Sequence, residues 1–301
     1  MAVTDIPLPP SPGRPVPRAV RPRRPATTEP AWLRVLLIGV VVAVLAVLLF
    51  APLAVVFTEA LREGWSAAGA ALTEPDARAA IGLTLTVAAI AVPLNATFGI
   101  AAAWAVARFD FRGKAVLLTL IDLPFSVSPV VVGLCLVLLY GAHSALGAWL
   151  IAHDLKVVFA VPGIVLATLF ITFPFVAREL IPVMVEQGRA EEEAALTLGA
   201  SGWRMFRTVT LPNIRWPLLY GVLLCNARAM GEFGAVAVVS GKIRGETSTM
   251  PIMIEMLYNE YLPVAAFSLA AVLAGLGLLT LALKSAMEWR HAPLLAATRR
   301  H

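Results

Sequence analysis

The chain has 301 residues, of which 59% are hydrophobic and 14% charged, with a formal net charge of +5. A soluble domain carries roughly 25% charged residues, so this composition excludes a chain that covers itself with water-facing side chains. The apolar residues fall in long runs of about 20, enough to cross the hydrocarbon core of a bilayer, and the short alternating segments of a transmembrane barrel are absent. The chain therefore reads as an all-α membrane protein.

Residues 1–30 are rich in Pro and Arg, with Arg14, Arg18, Arg21, Arg23 and Arg24 among them, and read as a disordered tail. The apolar run after Arg34 is too long for a signal peptide, and no small-residue cleavage site closes it. It is expected to be the first of six transmembrane helices, at about 35–57, 81–107, 115–140, 157–182, 214–240 and 262–284. The expected organisation is the tail 1–30, a membrane domain 31–290 containing a loop at 183–213, and a second tail 291–301. Orientation follows from Lys and Arg. Eighteen of the 24 lie in the N-terminal segment, the 108–114 turn, the 178–215 loop and the C-terminus, and five lie in the intervening loops. That bias puts both termini in the cytoplasm. Cys135 and Cys225 sit in apolar runs and read as buried small hydrophobes, with no partner at metal-ligand spacing.

Within the third run, Pro124 and Pro129 free backbone groups, and Ser126 and Ser128 stand between them. Two readings apply: uncharged donors lining a wet anion path, since non-helical backbone is tolerated at membrane depth where it lines protein or a cavity, or a proline kink whose serines satisfy the freed carbonyls. In the fifth run Arg228 and Glu232 are four residues apart and share a helix face. A charge within a span is costly and faces the interior or water, so the pair is either a gate that draws an anion or a permanent lock between helices. Asp122 is a candidate partner for Arg228. Gly231 and Gly234 permit close helix contact.

The 178–215 loop is the most informative stretch. Glu191-Glu192-Glu193-Ala194-Ala195-Leu196 favours a helix. Gly199 ends it, Ser201 caps a second short helix over 202–209, and Pro212 separates that helix from the next span. Small Ala194 and Ala195 allow another surface to approach, and apolar Leu196, Leu198, Trp203, Met205 and Phe206 in a wet loop argue for docking. Glu191 and Glu192 by themselves read as a solvated face.

Glu193-Ala194-Ala195, Gly199 and Leu211-Pro212 resemble the coupling loop of the permeases of ATP-binding-cassette importers, with Val209 where isoleucine is commoner. The resemblance extends from about 80 to 285 and is nearest to the W-type permease of the sulfate/thiosulfate importer. It is carried by Leu123-Pro124-Phe125-Ser126-Val127-Ser128-Pro129, by Phe159-Ala160-Val161-Pro162-Gly163, and by Phe173 to Leu180. Cys225 to Gly234 and Leu257-Tyr258-Asn259-Glu260-Tyr261 carry it further. Molybdate permeases share Arg228-x-x-Gly231-Glu232-Phe233-Gly234, so a molybdate or tungstate importer is the alternative cargo. The 1–30 tail has no such match.

The resemblance implies a type I importer permease fold with six spans in the bacterial inner membrane. The partners it implies are a pair of ATP-binding subunits carrying ATP and Mg, a second homologous permease of the T type, and a periplasmic sulfate-binding protein. It implies no cofactor on this chain and no nucleic-acid partner. Glu193, Ala194, Ala195, Gly199, Leu211 and Pro212 would couple to the ATPase. Ser126, Ser128, Arg228, Glu232 and Asp122 would line or gate the path. No catalytic or metal residue is expected: neither a His-Glu-x-x-His motif nor a phosphate-binding Gly-x-x-x-x-Gly-Lys loop occurs. A secondary anion transporter would need more intramembrane carboxylates than Asp122 and Glu232 and would not need the docking loop.

Overall fold

The computed structural model describes residues 31–298; the tail expected at 1–30, and residues 299–301, lie outside them. Among the described residues the only regular elements are helices. They are α1 (Ala31–Ala60), α2 (Trp65–Thr73), α3 (Pro75–Arg108), α4 (Lys114–Ser126), α5 (Pro129–Tyr140), α6 (Ala145–Ala152) and α7 (Val161–Gln187). After these come α8 (Ala190–Thr197), α9 (Gly202–Met205), one π turn (Phe206–Thr210), α10 (Leu211–Met230), α11 (Gly234–Val239), α12 (Met250–Asn259) and α13 (Pro263–Thr298).

The chain divides at Pro52 into two compact units. Of the first, residues 31–51 are described. They are the apolar N-terminal part of α1, and Pro52 follows inside the same helix. The second unit, from Pro52 onward, contains every other element. Its core is organised by α3 and α7. Val92 and Ala103 of α3, Val176, Leu180 and Met184 of α7, and Ile214 and Cys225 of α10 form one buried cluster. Further along the same helices, Val87, Ile164 and Ile171 pack with Val132 of α5, Ala235 and Val236 of α11 and Ile252 of α12. Ala80 joins Met250, Met253, Leu257 and Leu269 in a third cluster with α12 and α13. The cluster between α3, α7 and α10 also holds a polar contact. Asn95 Nδ2 donates to Thr172 Oγ1 at 2.6 Å, and that hydroxyl donates to the Thr168 carbonyl at 2.6 Å. This satisfies groups that have no water to turn to.

Among the described residues four helices are long and apolar enough to cross a membrane: residues 32–60, 75–108, 161–187 and 263–286. The third expected span is broken: α4 and α5 meet at 107°, so the count becomes five if that pair is one span. The expected fifth span is also divided. α10 carries Asn213, Arg215, Asn226 and Arg228 and ends at Met230, and α11 resumes at Gly234. Among the described residues two of the six expected apolar runs are thus interrupted, the third between two prolines as expected and the fifth between Met230 and Gly234. The segments between the expected apolar runs contain α2, α6 and α12. Helix α13 continues to Thr298, through most of the expected second tail.

Candidate functional site

The two expected short helices and their glycine corner are present. Glu191, Glu192 and Glu193 occupy the first turn of α8, where carboxylates complement the exposed N–H groups. At the other end the Gly199 N–H donates to Leu196 O and the Ala200 N–H to Ala195 O, both at 3.0 Å. This Schellman-type closure requires the left-handed conformation that Gly199 adopts, φ +85°. Ser201 then caps α9, its hydroxyl accepting from the Arg204 N–H at 3.4 Å.

Three expectations about this loop are corrected. Pro212 does not separate the second helix from the next span: the backbone stays helical from Gly202 through the π turn into α10. The Leu211 N–H reaches back to Phe206 O, and Pro212 follows within the continuous helix, directly after the π turn. Met205 and Phe206 do not face outward. Met205 is buried, and Phe206 stacks on Trp104 of α3 at 5.0 Å and on Trp203 at 5.6 Å. Glu192 is not solvated. It is 8% exposed, with Arg108 Nη2 at 3.0 Å from Oε1, Arg108 Nε at 2.7 Å from Oε2, and the Thr210 hydroxyl donating to Oε1 at 2.8 Å. The Nε contact is close but not aligned as a hydrogen bond. Arg108 Nη1 donates to Met184 O at 2.6 Å. Glu191 is tied down as well, accepting from Asn213 Nδ2 of α10.

What remains outward is a small apolar face. Glu193, Ala194 and Gly199 are exposed, Leu198 is 88% and Trp203 67% exposed, and Leu196 is also exposed. Trp203, Arg204, Arg207 and Thr208 line an open depression of about 300 Å³ beside it. This face, with Leu196, Leu198 and Trp203 exposed around a backbone corner, is suited to insertion into a protein cleft.

Four of the five residues expected along a path, Ser126, Ser128, Arg228 and Glu232, lie at or beside the two helix breaks. Ser126 ends α4 and Ser128 precedes α5, both exposed. Among the described residues neither hydroxyl makes a hydrogen bond, so the serines do not satisfy carbonyls freed by the kink. The second break abuts the first: a Cβ on Gly234 would lie 2.9 Å from Pro129 Cβ, so α11 can seat against α5 only with glycine there. Gly231 has no such role; a Cβ there would meet only the Ala227 carbonyl. Arg228 and Glu232 pair as expected, Nη2 to Oε2 at 2.8 Å. The pair does not lie along one helix, however. Glu232 stands in the break, 2% exposed, and its Oε1 also accepts from the Ala235 N–H at 3.2 Å. Arg228 is partly exposed and Glu232 is not, so the buried carboxylate holds the partly accessible guanidinium in place.

Asp122 does not reach Arg228. It pairs with Arg178 of α7 at 3.4 Å, because α4 packs along α7 while Arg228 lies on α10 with Glu232 as its neighbour. The Arg178 guanidinium also lies 5.0 Å over the Phe125 ring, and both charges face a cleft of about 180 Å³ lined further by Leu118, Ile121, Ile181 and Pro182. Arg178, counted in sequence with the loop, is nine residues inside α7. Cys225 is buried as expected, but Cys135 is exposed on α5. Sequence reading missed Arg108 and Thr210. An arginine ending a span looks like any loop cation, and the only hint was a run of three glutamates longer than a docking motif needs.

Comparison with known proteins accords with this geometry. Residues 95–290 match the family described as binding-protein-dependent transport system inner membrane component. The sulfate transport system permease protein CysW of Escherichia coli (strain K12) is 54% identical over 259 residues, covering 86% of this chain and 89% of that one. The permease protein CysT of the same organism's sulfate transport system is 36% identical over 244 residues, covering 81% and 88%. A crystal structure of a bacterial alginate ABC transporter in complex with an alginate pentasaccharide-bound periplasmic protein has a TM-score of 0.70 at 16% identity, covering 86% and 94%, which shows a shared fold. A six-run helical membrane chain with a glycine-cornered loop tied to its helix ends is thus a member of the binding-protein-dependent transport system inner membrane component family.

Proposed function

We propose that this chain is a permease subunit of an ATP-driven importer for sulfate and thiosulfate, in the bacterial inner membrane with both termini cytoplasmic. The observation that carries the cargo is the 54% identity to a chain named a sulfate permease. The proposed partners are a second permease of the CysT kind, a pair of ATP-binding subunits and a periplasmic sulfate-binding protein. The chain is non-catalytic, and ATP and Mg act on the partner.

The exposed face of α8 and α9 is the coupling surface. Glu193, Ala194, Ala195 and the Gly199 corner enter the ATP-binding subunit, while Leu211 and Pro212 join the corner rigidly to α10. The anion passes the abutting breaks, where the free hydroxyls of Ser126 and Ser128 donate hydrogen bonds without fixed charge. A dianion held only by such donors is released readily. Arg228, oriented by Glu232, attracts it, and Asp122 keeps Arg178 neutralised between passages.

The test is uptake of radiolabelled sulfate in cells lacking this chain, with and without its restoration. Rescue that thiosulfate competes away supports the reading. Sulfate uptake indifferent to the chain, with molybdate uptake rescued instead, overturns the cargo.

A further inference from the structure

Adjacent glutamates of α8 face opposite ways: Glu193 outward and Glu192 inward. The Glu192 carboxylate meets Arg108 through two nitrogens and Thr210 through its hydroxyl, and Arg108 Nη1 holds Met184 O at 2.6 Å. Each group around Glu192 sits at the end of a long helix. Arg108 is the last residue of α3, Met184 lies in the last turn of α7, and Thr210 directly precedes α10. The last carbonyls of a helix have no partner within it, so the guanidinium caps α7 from another helix while it binds α8.

Arg108 and Glu192 are both 8% exposed. Separating such a pair leaves an uncompensated buried charge, a strongly unfavourable state, and the guanidinium is also tied to α7 by the Nη1 bond to Met184 O. A push on α8 therefore meets less resistance in moving the ends of α3 and α7 than in parting from them.

We infer that the Arg108–Glu192 node is the rigid link that carries displacement of the α8–α9 loop to the ends of α3 and α7. This makes Arg108 and Glu192 positioning residues of the transport cycle, and it rests on the importer reading above. Glu193 meets the partner, and Glu192 passes the movement inward.

The test uses the complete transporter in proteoliposomes. Glu192→Gln keeps the shape and an acceptor for Thr210 but removes the charge; Arg108→Lys keeps the charge but not the fork. Two quantities are read: sulfate taken up per ATP hydrolysed, and the nucleotide dependence of the distance between spin labels at Ala101 on α3 and Thr197 on α8, in a Cys135→Ala background. A control pair joins Thr197 to a label on the second permease. In the unsubstituted chain the control distance changes with ATP while the Ala101–Thr197 distance stays fixed. In the variants the latter becomes ATP-dependent, and uptake per ATP falls about tenfold, within the usual range of coupling between sites.

A control distance that ATP leaves unchanged overturns the importer reading and the link with it. A control that moves, together with an Ala101–Thr197 distance that also moves in the unsubstituted chain, overturns the link alone. So does uptake per ATP that stays constant in both variants while total activity follows the amount of complex. If Glu192→Gln fails to assemble, Thr210→Val removes one bond to the same carboxylate and is held to the same outcomes, with a smaller drop.

Discussion

Gly199 separates backbone conformation from space. Its φ is +85°, and a Cβ built there meets nothing within 4 Å. Any penalty for substitution in the free chain is therefore conformational. A left-handed residue with a Cβ costs roughly 1–2 kcal/mol, which lowers the population of the closed corner about 5- to 30-fold. Asparagine tolerates this region through local hydrogen bonding, whereas a β-branched residue is a genuine outlier there. The expected order of function is Gly199, then Gly199→Asn, then Gly199→Ala, then Gly199→Val. The assay is sulfate uptake together with the fraction of chain that remains with the ATP-binding subunits on size-exclusion chromatography. Membrane levels should stay constant, because the corner is remote from the core formed by α3, α7 and α10. A result in which Gly199→Asn is worse than Gly199→Ala would refute the reasoning, since side-chain bulk in the partner's cleft, and not φ, would then be limiting.

At the abutting breaks, Gly234→Val forces a methyl-bearing carbon into the 2.9 Å approach to Pro129. It should destabilise by about 1–3 kcal/mol, seen as a lower unfolding midpoint in detergent; an unchanged midpoint contradicts the close packing. Ser126→Ala with Ser128→Ala should lower uptake without lowering the amount of chain in the membrane, because neither hydroxyl supports the fold; full uptake in the double variant ends their role in the path. Asn95→Ala removes a buried donor while Thr172 keeps its bond to Thr168 O, so a loss of about 1–3 kcal/mol is expected. Equal resistance to chemical denaturation in the variant and the unsubstituted chain would count against it.

The sequence revealed features that depend on local chemistry. The glycine corner, the Ser201 cap and the ends of the apolar runs all follow from residues within a few positions of one another. The bend between α4 and α5 was visible as two prolines, but neither its 107° angle nor the seating of α11 against Pro129 was. The partners of buried charges were also not legible. Asp122 and Arg228 looked complementary, yet Asp122 took Arg178, because helix neighbours decide among several cations of equal sign. Glu192 looked like one of three solvated acids until α3 brought Arg108 to it across 84 positions of chain. The apolar run expected at 214–240 covers most of Leu211–Met230 although polar residues lower its average, and Ile214, Gly221 and Cys225 are buried there; the division of the run at Glu232 was not visible.

The π turn at Phe206–Thr210 has a consequence for the spacing of the faces around it. Met205 and Thr210 are both buried and in contact, Oγ1 to Sδ at 3.4 Å. Residues five apart at about 100° each would stand on opposing sides of an α-helix, and only the wider turn brings them round to one side. The segment thus houses one residue more than an ordinary turn between the same two flanks. Shortening it by the exposed Arg207 would leave Met205 and Thr210 four apart, facing the same way in plain α-helix, so a length change here is absorbed where it arises. The same deletion within α8 or α10 would swing every later side chain by about a quarter turn.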